Sequence, residues 1–308
     1  MDKKLIQFSI DYALEMGRKV IQYGNVATYI PELAKADKQA LGIAVQTRQG
    51  ELYTAGDCST RFTIQSISKV ISLCVALEKC GYAAVLDRVG MEPSGEAFNS
   101  IVELDLNSNK PYNPMINSGA LAIADLLTEK TNFAELMEIS RKLTKDPSLR
   151  FDEKVYQSEM ETCSRNRAIC WLLKSKDIIR NDVEEALKLY TAMCSIGVTA
   201  VSLANLGLIL ANGGVDPQNG ERLLSASTVR VVKTIMLTCG MYDGSGRFAV
   251  EVGFPTKSGV GGGLLSVVDK EMGIGIYGPS LDNKGNCIAG NVMLKYLSET
   301  LNMHIFHS

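Results

Sequence analysis

The spacing of apolar and polar positions predicts helices at both ends of the chain, with strands close to them. Residues 4–24 carry apolar side chains every three to four positions, which is the stripe of an amphipathic helix. Segments 41–47 and 51–54 flank a turn at residues 48–50 and predict a β-hairpin. A last amphipathic helix is predicted over about 288–302. The N-terminal end therefore supplies a helix and a hairpin, and the C-terminal end supplies a helix.

Helical periodicity fills the middle of the chain, from about residue 82 to 214. Short breaks that contain Gly, Pro, Asn or Asp separate the clearest helical segments. These segments are 118–129, 132–144, 164–175, 183–194 and 199–212. Strand character returns after them in three short segments, which are 248–252, 263–268 and 272–277.

This order of elements predicts a mixed α/β fold of the α+β type, organised in two domains. Because strands occur at both ends and helices fill the middle, residues 1–70 together with 215–308 form a sheet-containing domain. Residues 71–214 form an inserted all-helical domain. Ser66, which opens a helix predicted to end near Gly81, lies at the seam between the two, where clefts tend to form.

Composition and charge narrow the class of protein. The 308 residues are enough to bury a large core, and 46% hydrophobic with 21% charged residues is typical of globular proteins. A net charge of −2, with both signs interspersed, gives no sign of a nucleic-acid or membrane partner. Eight scattered cysteines without a Cys-x-x-Cys pair, and the lack of a signal peptide or membrane-spanning run, predict a cytoplasmic protein.

Two glycine-rich motifs do not predict a nucleotide site, and no residue cluster has metal-ligand spacing. The segment from Gly273 to Gly278 spells Gly-x-Gly-x-x-Gly, but Pro279 follows where a dinucleotide fingerprint needs a helix. These glycines are therefore expected within a strand. The run from Gly259 to Gly263 lacks the lysine placement of a phosphate-binding loop. Neither a metal nor an organic cofactor is expected.

Ser66 and Lys69 form the only Ser-x-x-Lys in the chain. The only histidines, His304 and His307, lie in the last five residues, so a lysine is the available base for a serine nucleophile. A spacing of three puts both side chains on one face of a helix. In the first turn Ser66 has a free backbone N–H, and Lys69 is expected to be partly desolvated, which lowers its pKa. Taken alone the motif is near chance, and the alternative is a solvated surface pair.

A second motif, Lys257-Ser258-Gly259 before a predicted strand, matches the Lys-Thr-Gly that accompanies Ser-x-x-Lys in serine acyl-transferases, with serine for threonine. The glycines that follow are expected to let backbone approach the substrate closely. The backbone N–H of Val260 pairs with that of Ser66 as a candidate oxyanion hole. The alternative is a glycine-rich turn before an ordinary strand.

Several motifs in the same order resemble the serine-dependent glutaminase family. They cover residues 29 to about 290 and include Tyr29-Ile-Pro, Gln65-Ser-Ile-Ser-Lys69, Asn113-Pro-Met-Ile-Asn117-Ser-Gly-Ala120, Ser158-Glu159 with Arg165-Asn166, Tyr190 before Cys194-Ser195, Cys239-Gly-Met-Tyr242 and Lys257-Ser-Gly-Val260. The resemblance implies a β-lactamase-like fold with an antiparallel sheet flanked by helices and an inserted helical domain. It also implies hydrolysis of L-glutamine to L-glutamate and ammonia, and a homodimer or homotetramer.

The resemblance assigns a role to each matching residue. It implies that Ser66 is the nucleophile, Lys69 its base and Tyr242 a proton relay, with Tyr190 close to the serine–lysine pair. The implied substrate pocket consists of Tyr29, Ser66, Asn117, Glu159, Asn166, Tyr190, Tyr242 and Val260. Glu159 would neutralise the substrate ammonium, and Asn117, Asn166 and Tyr29 would bind its carboxylate. Glu161 is the alternative ammonium partner, although the spacing to Asn166 favours Glu159.

Simpler interpretations of the single residues remain open, as do two other functions. Asn117 could cap a helix, the two tyrosines could be core aromatics, and Glu159 could be a solvated charge. The first alternative function is another serine acyl-transferase of the β-lactamase or peptidase class. The second is a non-catalytic glutamine- or glutamate-binding protein with the same fold.

Overall fold

A computed structural model of the chain describes residues 3–94 and 110–307. The predicted domain ranges also include residues 1–2, 95–109 and 308, and these parts lie outside the described residues. The helices are α1 Lys3–Val20, α2 Ser68–Cys80, α3 Tyr82–Arg88, α4 Asn117–Thr128, α5 Phe133–Thr144, α6 Glu153–Thr162, α7 Ser164–Ser175, α8 Val183–Cys194, α9 Ala200–Ala211, α10 Ala226–Cys239, α11 Ser245–Glu251 and α12 Ile288–Thr300. The strands are β1 Gly42–Thr47, β2 Leu52–Gly56, β3 Phe62–Thr63, β4 Arg150–Phe151, β5 Ile196–Val198, β6 Thr256–Gly259, β7 Gly263–Val268 and β8 Met272–Tyr277.

The main sheet has five antiparallel strands in the order β2-β1-β8-β7-β6, so it combines strands from both ends of the chain. Successive side chains of a strand point to opposite faces. Accordingly, Ile43 and Val45 of β1 pack with α1 and α12, whereas Ala44 between them packs toward α9. Both faces are covered, which explains why β1, β7 and β8 are buried along their whole length. The predicted antiparallel sheet flanked by helices is confirmed.

Glycines in β8 let helix α9 lie directly on the sheet. A Cβ atom at Gly273 would lie 2.1 Å from the carbonyl oxygen of Ala204, and one at Gly275 would lie 1.9 Å from that of Ala200. Both distances are below any real contact, so only glycine fits at these positions. Gly273 and Gly275 therefore lie within a strand, as predicted, and they also form the surface on which α9 packs.

A small sheet of three short strands, in the order β3-β5-β4, lies beside the helical part of the chain. Phe62 of β3 pairs with Val198 of β5, and the backbone N–H of Ile64 donates to the carbonyl of Ile196 at 2.8 Å. These bonds hold the segment immediately before Ser66 against β5.

Most predicted elements are present, and one is wrong. The hairpin at 41–54, the central helices, β7, β8 and the last helix occur where the pattern placed them. Segment 248–252, however, is helical, because it belongs largely to α11. Phe248 and Val252 contact the core while Val250 is 78% exposed. Residues four apart share a face in a helix as well as in a strand, so this short apolar alternation fitted both structures.

The division into two domains at residues 70/71 and 214/215 stays a prediction. The main sheet uses strands from both ends of the chain, as that division requires. Helix α9 was placed in the inserted helical part, but it packs against β1, β7 and β8 of the sheet. Within the described residues no helix is long and apolar enough to cross a membrane.

Candidate active site

Ser66 lies in a tight 3₁₀ turn, Gln65–Ile67, that leads from β3 into α2. Gln65 has a φ of +48°, a left-handed conformation that is costly for a residue with a side chain. Backbone strain of this kind is concentrated at functional sites. The predicted helix thus starts at Ser68, and Ser66 precedes it on a turn that presents its side chain at the helix N-terminus.

The glycine-rich turn after β6 lies against the segment that carries Ser66. A Cβ atom at Gly259 would lie 2.8 Å from the carbonyl oxygen of Ile64, and one at Gly261 would lie 2.5 Å from that of Thr63. These two glycines accommodate the protein's own backbone, and the expectation that the glycine run lets backbone approach the substrate closely stays a prediction. Lys257-Ser258-Gly259 is itself part of the edge strand β6, a strand that the sequence pattern did not predict.

Lys69 is buried one turn into α2, with only 2% of its surface exposed. Its Nζ donates to Oδ1 of Asn117 at 2.7 Å and to the carbonyl of Met115 at 3.2 Å. Burial lowers the pKa of Lys69 from 10.5 to about 8, although the negative charge of Glu159 opposes the shift. The predicted desolvation is confirmed, and it makes neutral Lys69 far more accessible near neutral pH than for an exposed lysine.

Asn117 connects Lys69 with two further predicted site residues. Its Nδ2 donates to Oδ1 of Asn166 at 3.0 Å, and its Oδ1 accepts from the Tyr190 hydroxyl at 3.3 Å. The Lys69 ammonium nitrogen lies 5.8 Å from the centre of the Tyr190 ring. Asn117 opens α4 without capping it, because Ile116 occupies the cap position and no side chain bonds there. The helix-cap interpretation is therefore wrong.

Tyr242 reaches the same place from the turn after α10, and it also has a left-handed backbone, with a φ of +53°. Its buried hydroxyl faces the hydroxyls of Ser66 and Ser258 and the backbone N–H of Val260. Burial raises the pKa of Tyr242, and hydrogen bonds from these groups offset part of that rise. Ser66, Tyr242 and Val260 are thus brought together from three distant parts of the chain.

Glu159 is the buried member of the two candidate glutamates, with 6% of its surface exposed, whereas Glu161 is exposed. Burial raises the pKa of Glu159 to about 7, although a hydrogen bond from Gln65 and the charge of Lys69 both lower it. Its Oε2 has no hydrogen-bond partner. A buried carboxylate oxygen without a partner is costly, and such an atom is suited to a cationic ligand group.

Tyr29 lies at the entrance, with 56% of its surface exposed. Burial on the side of its hydroxyl, together with Tyr242 and Glu159 nearby, raises the pKa of Tyr29. The structure therefore brings every predicted site residue to one place.

Sequence reasoning named Gln65 and Lys257 only as parts of motifs and assigned neither of them a role in the site. Lys257 is fully buried, and its Nζ lies 4.5 Å from the centre of the Tyr242 ring and donates to the carbonyl of Gly240 at 3.2 Å. Burial and the charge of Lys69 lower the pKa of Lys257 well below its usual value. The Lys-Ser-Gly motif was the signal for Lys257, whereas only its position next to Ser66 marked Gln65.

No group of three or more His, Cys, Asp or Glu side chains in the described ranges could hold a metal ion. The arrangement instead provides a serine, a buried lysine with a lowered pKa, two backbone N–H donors and a buried carboxylate. Together these groups are suited to acyl transfer on a substrate that carries a cationic group.

Comparisons with known proteins agree with this chemistry. The profile of the family described as Glutaminase matches residues 24–306. The chain is 50% identical over 308 residues to a glutaminase of Clostridium tetani, covering 98% of this chain and all of that protein. Among solved structures, the probable glutaminase YbaS aligns with a TM-score of 0.94 and 37% identity over the whole of both chains.

A second solved structure is a covalent complex of the Bacillus subtilis glutaminase YbgJ with 5-oxo-L-norleucine, formed by reaction with 6-diazo-5-oxo-L-norleucine. It aligns with a TM-score of 0.88 and 37% identity, over 98% of this chain and all of the other.

Proposed function

Because the chain belongs to the glutaminase family and is an amidohydrolase that acts on glutamine, we propose that it forms a γ-glutamyl ester on Ser66 during hydrolysis to L-glutamate and ammonia. The observation that carries this proposal is the buried Lys69, whose pKa is lowered to about 8 one turn from Ser66. The covalent adduct of the related Bacillus enzyme supports it further. The β-lactamase-like fold and the Lys257 motif agree with the same class of chemistry.

The reaction begins with neutral Lys69, which takes the proton of Ser66 as Oγ attacks the side-chain carbonyl carbon of glutamine. The oxyanion that forms accepts hydrogen bonds from the backbone N–H groups of Ser66 and Val260. The proton that Lys69 took from Ser66 then passes through Tyr242 to the amide nitrogen, which leaves as ammonia when the C–N bond breaks, and Lys69 is neutral again. Water, deprotonated by the same base, then attacks the ester and releases glutamate and Ser66. Tyr190 lies beside Lys69 and orients Asn117, which bonds Lys69.

Recognition of free glutamine follows from the charges around the pocket. The α-ammonium pairs with the partnerless Oε2 of Glu159, which lowers the pKa of that carboxyl and keeps it ionised. Asn166 accepts from Asn117 through Oδ1, so its Nδ2 can donate to the substrate carboxylate. Tyr29 supplies a second donor at the entrance. These neutral donors add no positive charge beside the ammonium site.

Replacing Glu159 with glutamine is expected to raise KM for glutamine by about 10- to 100-fold, with a smaller effect on kcat, because a charged partner of the substrate is lost. Ammonia release measured over a range of glutamine concentrations gives both constants. Glu161→Gln is the matched control, since that side chain is exposed two residues away. A normal KM in Glu159→Gln with a raised KM in Glu161→Gln would move the ammonium site to Glu161.

The proposed function is tested by ammonia release from L-glutamine, compared with L-asparagine and with hydrolysis of a chromogenic β-lactam. We expect turnover of glutamine and none of the β-lactam. Cleavage of the β-lactam alone would favour the acyl-transferase alternative, and glutamine binding without turnover would favour the non-catalytic one. A cytoplasmic location and a homodimer or homotetramer stay predictions, which cell fractionation and sedimentation would check.

A further inference from the structure

Lys257 is a fully buried lysine to which the proposed reaction assigns no step. In the part of the chain that the structure describes, no carboxylate forms an ion pair with its side chain. An amine buried without an anionic partner is costly, because it gives up its hydration. The groups that Lys257 does contact therefore indicate why a lysine occupies this position.

The amine of Lys257 joins two elements of the fold. Its Nζ donates to the carbonyl of Gly240 at 3.2 Å, at the end of α10, and to the carbonyl of Ser258 at 2.5 Å, in β6. Both the charged and the uncharged amine have at least two N–H donors, so these two bonds form in either protonation state. Lys257 therefore ties the end of α10 to the edge strand.

The end of α10 also packs closely on β6 at Gly240. A Cβ atom there would lie 1.8 Å from the carbonyl oxygen of Thr256, so only glycine fits. The backbone N–H of Ser258 donates to the carbonyl of Gly240 at 3.1 Å, and this carbonyl thus accepts from both Ser258 and Lys257. Gly240 precedes Tyr242 by two residues. These contacts therefore fix the start of the turn that carries Tyr242.

Tyr242 needs support because its backbone is strained. Its φ of +53° is costly for a residue with a side chain, and such a conformation persists only where its surroundings hold it. Ser245 bonds the backbone of this turn, since its Oγ accepts from the N–H of Met241 and donates to the carbonyl of Tyr242. Lys257 contacts the side chain itself, with Nζ 4.5 Å from the centre of the ring. Lys257 thus holds both the start of the turn and the ring of Tyr242.

We propose that Lys257 is a positioning residue, which holds the ring of Tyr242 so that its hydroxyl stays directed at Ser66. It acts through Tyr242 and not as a second base. The catalytic consequence rests on the proposed function, in which Tyr242 passes a proton to the leaving nitrogen. Because a displacement of about 1 Å in a catalytic group can cost roughly 100-fold in rate, loss of this support lowers kcat without abolishing turnover.

A double-mutant cycle on kcat tests the catalytic part of the inference. Lys257→Met nearly keeps the length of the side chain and removes its N–H donors. We expect kcat for ammonia release to fall about 10- to 100-fold in Lys257→Met and about 100-fold or more in Tyr242→Phe, which lacks the relay hydroxyl. In the double variant, the lysine change should cost at most about twofold beyond Tyr242→Phe, because the hydroxyl that Lys257 positions is already gone.

Lys233→Met is the matched control, since Lys233 also ties α10 to the sheet, through its ion pair with Asp269, but lies about two turns away from Gly240. Its kcat should be normal. Lys257→Gln, which keeps an N–H donor, should lose less activity than Lys257→Met, and it serves in the cycle if the methionine variant does not fold. Equal losses from the lysine change in both backgrounds, or an unchanged kcat in Lys257→Met, would overturn the proposal.

Thermal unfolding tests the contact without reference to catalysis. Tm is measured for the wild type, Lys257→Met, Tyr242→Leu and the double variant. A contact between the two side chains predicts that the two shifts in Tm are not additive, with a departure of about 1 °C or more. Additive shifts would overturn the proposal, whatever the chain hydrolyses. Coupled shifts together with normal turnover by Tyr242→Phe would confirm the contact and overturn the relay role of Tyr242 in the proposed function.

Discussion

Ser66→Ala is expected to reduce ammonia release from glutamine by about 10⁴-fold or more, because the proposed ester cannot form without the Oγ atom. The residual rate reflects the oxyanion donors and substrate positioning that the variant keeps. The change removes one oxygen atom and its contact with the Tyr242 hydroxyl but no apolar packing, so we expect a folded protein with a nearly normal thermal transition. Glutamine binding to this variant, measured by titration, should persist.

Ser72→Ala is the matched control, since Ser72 lies on α2 only six residues from Ser66 and is partly exposed. A second measurement uses 6-diazo-5-oxo-L-norleucine as a probe of the nucleophile. The wild type and Ser72→Ala should gain a covalent adduct that peptide mapping places on Ser66, and Ser66→Ala should gain none. Appreciable turnover by Ser66→Ala, or an adduct on another residue, would show that Ser66 is not the nucleophile.

Lys69→Ala is expected to be nearly as damaging, with a loss of about 10³- to 10⁴-fold in kcat, because it removes the amine that takes the Ser66 proton in the proposed mechanism. Removing a buried side chain that bonds Asn117 and Met115 also disturbs packing, so stability must be measured alongside activity. Lys69→Arg separates the two effects, since it keeps a cation but cannot lose its proton. Lys79→Ala, at the exposed end of the same helix, is the matched control.

The pH dependence of kcat/KM distinguishes a catalytic role of Lys69 from a purely structural one. The proposed mechanism requires both Lys69 and Glu159 to be deprotonated in the free enzyme, where burial brings their pKa values to about 8 and about 7. Activity should therefore rise with pH and level off above about pH 8, falling up to about tenfold per pH unit for each group below its pKa. Glu159→Gln should lose one of the two ionisations and keep the one near pH 8. A merely modest loss in Lys69→Ala, or a profile that is flat across this range, would point to another base.

Part of the candidate site could be predicted from short-range sequence alone. A spacing of three residues determines that Ser66 and Lys69 point the same way from one helical segment, whatever surrounds them. The short apolar runs in β7 and β8 likewise marked strands, since strands that are buried on both faces carry few polar residues. The choice of glutamine as substrate rested on the ordered motifs from Tyr29 to Val260 and on the family that they resemble.

Other features depended on residues that are far apart in the chain. Segment 248–252 was misassigned because Phe248 and Val252 lie on the same face in a strand and in a helix, so the apolar pattern fitted both. Only packing against the core selects the helix. The edge strand β6 escaped notice because its Thr-Lys-Ser-Gly sequence has no apolar alternation. Its lysine is buried against Tyr242, where a strand pattern would have placed a surface charge.

Local sequence indicates which residues are candidates for the chemistry, because motif spacing and helical or strand period depend on local backbone geometry. The electrostatic state of these residues depends on tertiary contacts. The tertiary structure buries Glu159 and leaves Glu161 exposed, brings Asn117 to Lys69, and lowers the pKa of Lys69 to about 8. Burial and charge–charge contacts arise between segments separated by tens to hundreds of residues, so no local pattern encodes them.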